Sequence, residues 1–314
     1  MKYYCKRFGK YMIACCIIIT AGLIMIALIT LDPAILWKNM KVQLYAADET
    51  VFGGTLSSVR RNLFCDPDRV VLAQKPKYIN AYEWLPSNKL FSIAHGLGPS
   101  IPSGNNTLET FQKGMAAGFN IFEVDITLTT DGELVCYHGT DGEDLELLSV
   151  RKFIQMANKN NFYPLRFRDL IELSKKHPDI YFILDVKNKF IESYEIMDNL
   201  LKDNKIKSHF IPQVYHFNNM IWFIKHPGWG GVVFTSYQSR LTTADIFFYA
   251  RLFSISVVTL TLERISTCKD LPTDIVILAH PVNDPDTVKE LHNKGVRGIY
   301  THYLSEQTIK SFIR

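Results

Sequence analysis

The 314-residue sequence has no run of five or more like charges, no internal repeat and no low-complexity tract. Solenoid arrays and highly charged tails are thereby excluded. Excess charge of one sign is also missing. A formal net charge of +4, dispersed along the chain, gives no electrostatic footprint for nucleic acid. Cysteine is sparse: Cys5, Cys15 and Cys16 fall in the N-terminal segment, leaving Cys65, Cys136 and Cys268. That odd number shows no metal-like spacing, so at most one disulfide can form among them and burial is the expected fate of each. What remains is ordinary globular composition, 47% apolar and 21% charged, in a chain long enough to bury a sizeable core.

Charge is wholly absent from Tyr11 to Leu31, "YMIACCIIITAGLIMIALITL", after a start that carries Lys2, Lys6, Arg7 and Lys10. About 20 apolar residues in a helix cross the roughly 30 Å hydrocarbon core of a bilayer. A cleaved signal peptide would have a shorter apolar stretch and a small-residue cleavage site, whereas this chain continues "DPAILWKNMK". The expectation is a basic cytoplasmic tail (1–10) and a single transmembrane anchor (11–31). A juxtamembrane connection (32–87) and a domain over 88–314 follow. Four basic residues before the span against Lys38 and Lys41 after it place the N-terminus inside and the domain outside the cytoplasm.

From residue 89 onwards, short β-branched or aromatic runs alternate with helical stretches. Strands are expected over 90–95, 121–129, 181–187, 210–215, 231–237, 256–262, 274–280 and 298–304. Helices are expected in "TLETFQKGMAAG", "YPLRFRDLIELSKKH", "SYEIMDNLLKD", "TTADIFFYARLF" and "DPDTVKELHNKG". Thr107 and Asp286 are candidate helix starts, Gly118 and Gly295 candidate stops. The number of strands suggests closure into a (β/α)8 TIM-type barrel, with an open doubly wound sheet as the alternative. "TLTTDGELVCYHG" interrupts the alternation and reads as a small β-hairpin inserted after the second strand, turning at Asp131-Gly132.

Catalysis in such a barrel sits at the C-terminal ends of the strands. The first strand ends in His95. Glu123 and Asp125, two residues apart on the second strand, point to one side of it, which the apolar alternation makes the barrel interior. Two inward carboxylates repel unless protonated or neutralised by a cation, and oxygen-only ligands favour Mg²⁺ or Ca²⁺. The hairpin ends in His138, and the third strand repeats the pattern with Asp185 and Lys187. Each residue also has an ordinary reading: a solvated carboxylate face, a surface histidine, a Lys187–Asp185 pair. Their common position at strand ends on one rim favours a site.

"IAHGLG", "NNTLETF", "GFNIFEVDITLTTDGELVCYHG", "ILDVK" and "HPVNDPDTVKELHNKGVRGIYTHYL" occur in the order and spacing of a known family. In these segments the chain resembles the glycerophosphodiester phosphodiesterases, within the phospholipase-C-like phosphodiesterase barrels. The resemblance runs from about residue 90 to the C-terminus. It implies that His95 and His138 are the two catalytic histidines, one a general acid and the other a general base in an order left open, and that Glu123, Asp125 and Asp185 hold one divalent cation. It further implies that Lys187 neutralises the substrate phosphate and that Asn106 supports the site. Three positions depart from the family pattern. Gly96 stands where the family's H-R-G has an arginine, Asp185 where many relatives have glutamate, and His302 where an aspartate is common.

The resulting expectation is a membrane-anchored, metal-dependent phosphodiesterase. Its substrate would be a glycerophosphodiester, a lysophospholipid headgroup or a phosphodiester of a surface polymer. The alternatives are a catalytically silent barrel that binds a phosphorylated surface glycan or partner protein, and a metal-independent lyase. The three carboxylates argue against the lyase, because such enzymes place a basic residue where the metal would sit.

Overall fold

Short runs of branched and aromatic side chains, bounded by Gly, Pro, Asn and Asp, form strands wherever alternate residues find apolar neighbours on both faces. In the computed structural model, which describes residues 82–87, 90–99, 105–139, 143–202 and 205–312, nine strands result. They are β1 (Phe91–Ala94), β2 (Ile121–Leu128), β3 (Leu134–Cys136), β4 (Tyr181–Val186), β5 (Phe210–Val214), β6 (Val233–Thr235), β7 (Val257–Thr261), β8 (Val276–His280) and β9 (Gly298–Thr301). All pairings between them are parallel except β2–β3. Because β1 pairs with both β2 and β9, eight parallel strands close into a barrel and no open sheet remains. β3 lies against β2 only from Ile126 to Leu128, beyond the point where β1 has ended at Ala94 opposite Phe122. The hairpin thus occupies an edge that would otherwise be unpaired.

The helices among the described residues are α1 (Leu108–Ala116), α2 (Val150–Asn160), α3 (Phe167–Lys176), α4 (Phe190–Leu201), α5 (Met220–Lys225), α6 (Thr243–Phe253), α7 (Leu262–Thr267), α8 (Pro285–Asn293) and α9 (Glu306–Phe312). Thr107 caps α1 as expected, accepting from the Thr110 N–H while the Thr110 hydroxyl accepts from the Thr107 N–H. The start of α8 requires a correction. Asp284, not Asp286, is its cap, accepting from the Thr287 N–H at 2.8 Å. Pro285 then takes the first helical position, where its missing N–H leaves nothing unsatisfied. Gly118 and Gly295 follow their helices with φ of +84° and +98°, the left-handed stop that glycine accepts without strain.

Two cores result. One lies between strands and helices. The other fills the lower barrel with Phe91, Ile93, Ile121, Ile183, Ile211, Val233, Val257, Leu278 and Tyr300. Each such aliphatic or aromatic side chain contributes about 1.5–3 kcal/mol on burial. Trp84 closes this end, its indole N–H donating to the Gly230 carbonyl at 2.8 Å. The Tyr82 hydroxyl beside it donates to the Val232 carbonyl and accepts from the Ser256 N–H. With the base sealed by apolar side chains, the polar ends of the same strands face the opposite mouth. Cys136 is buried, Cys268 is only partly so, and neither forms a disulfide. The expected tail, anchor, Cys65 and most of the connection over 32–87 lie outside the described residues. No helix among the described residues is long and apolar enough to cross a membrane.

Candidate active site

Ile121 faces the barrel interior, so strand alternation sends Glu123 and Asp125 inward one and two layers above it. Ile183 does the same for Asp185 and Lys187 on the neighbouring strand, where Asp125 and Asp185 are register partners. Glu123, Asp125 and Asp185 are all nearly fully buried. Each places a carboxylate oxygen within 4.8 Å of the others. The Lys187 ammonium sits between two of them, 2.6 Å from Asp125 Oδ1 and 2.7 Å from Asp185 Oδ2.

These charges set one another's protonation. Burial, with the nearby Asp125 and Asp185 charges, pushes the Glu123 carboxyl well above the usual range. Burial also opposes ionisation of Asp125, but Lys187, His138 and Asn106 outweigh it and hold that carboxyl below its usual value. Asp185 stays raised because burial and Asp125 exceed the help from Lys187. Lys187 is raised in turn: burial disfavours its charge, and Asp125, Asp185 and Glu123 more than compensate.

The loop after β1 ties the carboxylates down. Asn106 is buried, and its amide donates to Asp125 Oδ2 at 2.7 Å while its oxygen accepts the Asp125 N–H at 3.0 Å. The Gly96 N–H donates to Glu123 Oε2 at 2.8 Å. Gly96 has φ +61°, and a Cβ placed there would lie 2.8 Å from the Asn105 Cβ. The arginine of the family pattern is therefore not simply missing: the backbone here takes a form that disfavours any side chain. Gly98 is held as tightly, with φ +138° and the Thr110 carbonyl 2.5 Å from a would-be Cβ.

His95 lies at the mouth of β1, and two further histidines meet it. Its Nδ1 is 2.9 Å from His302 Nε2, and its Nε2 is 2.9 Å from His280 Nε2 and 3.7 Å from Glu123 Oε2. Burial and the neighbouring His280 bring His95 down to about 3, and burial with His302 brings His280 down to about 4. At neutral pH both rings are uncharged. His138 stands apart, exposed on the loop after β3, close enough to Asp125 to favour that carboxylate's charge.

Seven site residues are expected from the sequence. The structure gathers His95, Asn106, Glu123, Asp125, Asp185 and Lys187, and leaves His138 at the rim. Sequence reasoning passed over His280, took His302 only as a departure from a pattern, and passed over Tyr215 and Tyr237. The Tyr215 hydroxyl accepts from Gln213 Nε2 and shares a 2.5 Å hydrogen bond with the Tyr237 hydroxyl. Both rings line a cavity of about 200 Å³ beside Asp185 and Lys187, together with Phe190 and Asn219. Their signal was positional. His280 ends β8, and His302 and Tyr215 each follow the last residue of a strand.

Oxygen-only donors suit a hard divalent cation, and the buried Asp185 Oδ1 has no hydrogen-bond partner. The carboxylates present therefore fit such an ion. A closed parallel barrel carries histidines, clustered carboxylates and a lysine at its C-terminal mouth, a set suited to the chemistry of a phosphoric diester hydrolase. Residues 95–243 match the model of the Glycerophosphoryl diester phosphodiesterase family, and over that stretch the chain is similar to it. No curated protein matches the chain.

Solved structures share the fold. A glycerophosphodiester phosphodiesterase from Parabacteroides distasonis is 17% identical with a TM-score of 0.59, covering 72% of this chain and 98% of its own. A phosphodiesterase from Oleispira antarctica, solved with the product sn-glycerol-3-phosphate, is 17% identical with a TM-score of 0.56, over 74% and 98% of the two chains. A glycerophosphodiester phosphodiesterase from Thermotoga maritima is 18% identical with a TM-score of 0.53, over 73% and 99%.

Proposed function

We propose that this chain is a membrane-anchored, metal-dependent phosphodiesterase that hydrolyses a glycerophosphodiester or a related diester by proton transfer through two histidines. The observation that carries this reading is the meeting of the Glu123, Asp125 and Asp185 carboxylates with Lys187 and His95 at one barrel mouth. The product complex of the Oleispira antarctica enzyme supports a glycerol-phosphate ester as substrate.

Glu123, Asp125 and Asp185 hold one Mg²⁺ or Ca²⁺, which supplies charge neutralisation for a non-bridging phosphate oxygen. Lys187 adds a second positive charge on the same face, and Asn106 and the Gly96 N–H keep two of the carboxylates oriented. His95 is neutral and accepts the nucleophile's proton; His138, open to solvent, returns one to the leaving alkoxide. Tyr215 and Tyr237 border the space that receives the ester's alcohol group. The anchor rests on the uncharged stretch from Tyr11 to Leu31, and the basic residues before it favour a barrel outside the cytoplasm. A reporter fused after residue 40 that scores as cytoplasmic would refute that topology.

The full chain in detergent, assayed on glycerophosphocholine and an aryl phosphodiester, tests the catalytic reading. Turnover is expected with Mg²⁺ or Ca²⁺ and should collapse in His95→Ala and Glu123→Ala. Rates unchanged by either substitution would sink the mechanism.

A further inference from the structure

The large apolar side chains exposed among the described residues are Leu147, Tyr163, Ile191, Tyr237, Leu262 and Tyr303, between 39% and 70% accessible. Isolated exposed apolar residues are ordinary and need no explanation. Their distribution does need one, because all six lie at the mouth end of the barrel. Ile191 is in the first turn of α4 just beyond β4, and Leu262 opens α7 at the end of β7. Tyr237 and Tyr303 each lie two residues past their strands. Leu147 sits in the turn after β3 that Asn188 binds through the Leu145 carbonyl. The Tyr163 N–H donates to Glu109 in the first turn of α1, which also starts at the mouth. The base carries none of the six; there Trp84 is 3% accessible and covered.

The residues surround the opening, with members beside β3, β4, β6, β7 and β9. Two ion pairs lie among them, Lys189 with Glu146 at 3.5 Å and Lys152 with Glu143 at 3.0 Å, while Glu192, Arg240 and Glu263 present exposed charges beside the same rim. Pairing lowers the penalty for approaching a medium of low dielectric. Half of the six are tyrosines, whose amphipathic rings suit the level of lipid headgroups.

We infer that this ring of apolar side chains rests on the surface of a lipid bilayer and that the site draws a lipid-borne phosphodiester from it. The occupant is chosen by the chain itself, which carries the uncharged stretch from Tyr11 to Leu31. The chain enters the barrel at its base, through Tyr82 and Trp84. The mouth can still face the same bilayer, because the roughly 50 residues between Leu31 and Tyr82 reach at most about 165–180 Å, several times the height of a barrel. The substrate class rests on the diester chemistry proposed above and the choice of a bilayer on the anchor proposed there; neither depends on the other.

The full chain, in vesicles of phosphatidylcholine and phosphatidylglycerol, is labelled with an environment-sensitive fluorophore. Labels replace Leu147, Ile191 or Tyr303 in turn, with Lys176 at the base end of α3 as the control. The rim labels should shift to the blue and resist aqueous iodide while the control label does not. Equal quenching at rim and base would overturn the inference. So would protection that depends on protein concentration in detergent without lipid, which would mark a second copy as the occupant. In a kinetic arm, the triple variant L147S/I191S/Y303S should keep the wild-type rate on a soluble aryl diester. It should lose at least about tenfold on lysophosphatidylcholine held in the vesicles. Equal rates for variant and wild type on the vesicle substrate would overturn the substrate class. Absence of any wild-type turnover would refute the proposed function, while the labels would still decide the docking.

Discussion

The Asn106 side chain holds Asp125 at both ends, donating to its carboxylate at 2.7 Å and accepting its backbone N–H at 3.0 Å. The loop after β1 is thereby fastened to the strand that carries two of the three carboxylates. Asn106 itself has φ +60°, a conformation asparagine tolerates better than most residues. Asn106→Ala strands a buried N–H and removes a partner of a buried carboxylate, which costs about 1–3 kcal/mol. We expect a matching loss in chemical denaturation and weaker metal binding by titration calorimetry. Metal affinity equal to wild type would show that the loop does not set the carboxylate.

Restoring the family's arginine at position 96 should not restore a relative's behaviour. Gly96 is left-handed and its Cβ position is filled by Asn105, so Gly96→Arg and Gly96→Ala should each cost at least about 1–2 kcal/mol. Denaturant midpoints measure this directly. An unchanged midpoint in Gly96→Ala would mean that the backbone relaxes freely there.

Lys187 is the counter-charge of Asp125 and Asp185 when no metal is bound. Lys187→Met leaves two buried carboxylates without it, and breaking such a buried pair costs about 3–5 kcal/mol. The loss should be largest in chelator and smaller with Mg²⁺, which supplies part of the missing charge. Equal losses in both conditions would separate Lys187 from the metal site.

The raised Glu123 carboxyl predicts how stability varies with pH. Its folded-state value lies above its unfolded one, so the folded protein binds the proton more tightly. Metal-free stability should therefore fall as pH rises from the ordinary carboxylate range through the raised value. A bound cation requires the ionised form and offsets that loss. The gain in melting temperature on adding Mg²⁺ should grow with pH, and Glu123→Gln should flatten the trend. A gain that shrinks with rising pH would contradict the assignment.

Strands were the most legible part of the sequence, because runs such as "IFEVDITL" and "YFILDV" bury both faces and have few other uses. The short helix Met220–Lys225 was not legible, since six residues rich in apolar side chains carry no helical period. Leu262–Thr267 was hidden because its first residue continues the run of β7. Glu123, Asp125, Asp185 and Lys187 stood out as charges two apart on apolar strands. His280 and His302 lie 185 and 207 residues from His95 in sequence and meet it only when the barrel closes. Asp284 and Asp286 are alike as capping residues in the sequence, and only the position of Pro285 as the first helical residue makes Asp284 the cap.

Phosphorus NMR of glycerophosphocholine incubated with the full chain tests the central claim most directly. With Mg²⁺ or Ca²⁺ present, the diester resonance should give way to that of a glycerol phosphate monoester. Conversion should stop on chelation and resume when the ion is returned. Conversion that proceeds undiminished in chelator, or no conversion with either ion, would contradict a metal-dependent diester hydrolase built on Glu123, Asp125 and Asp185.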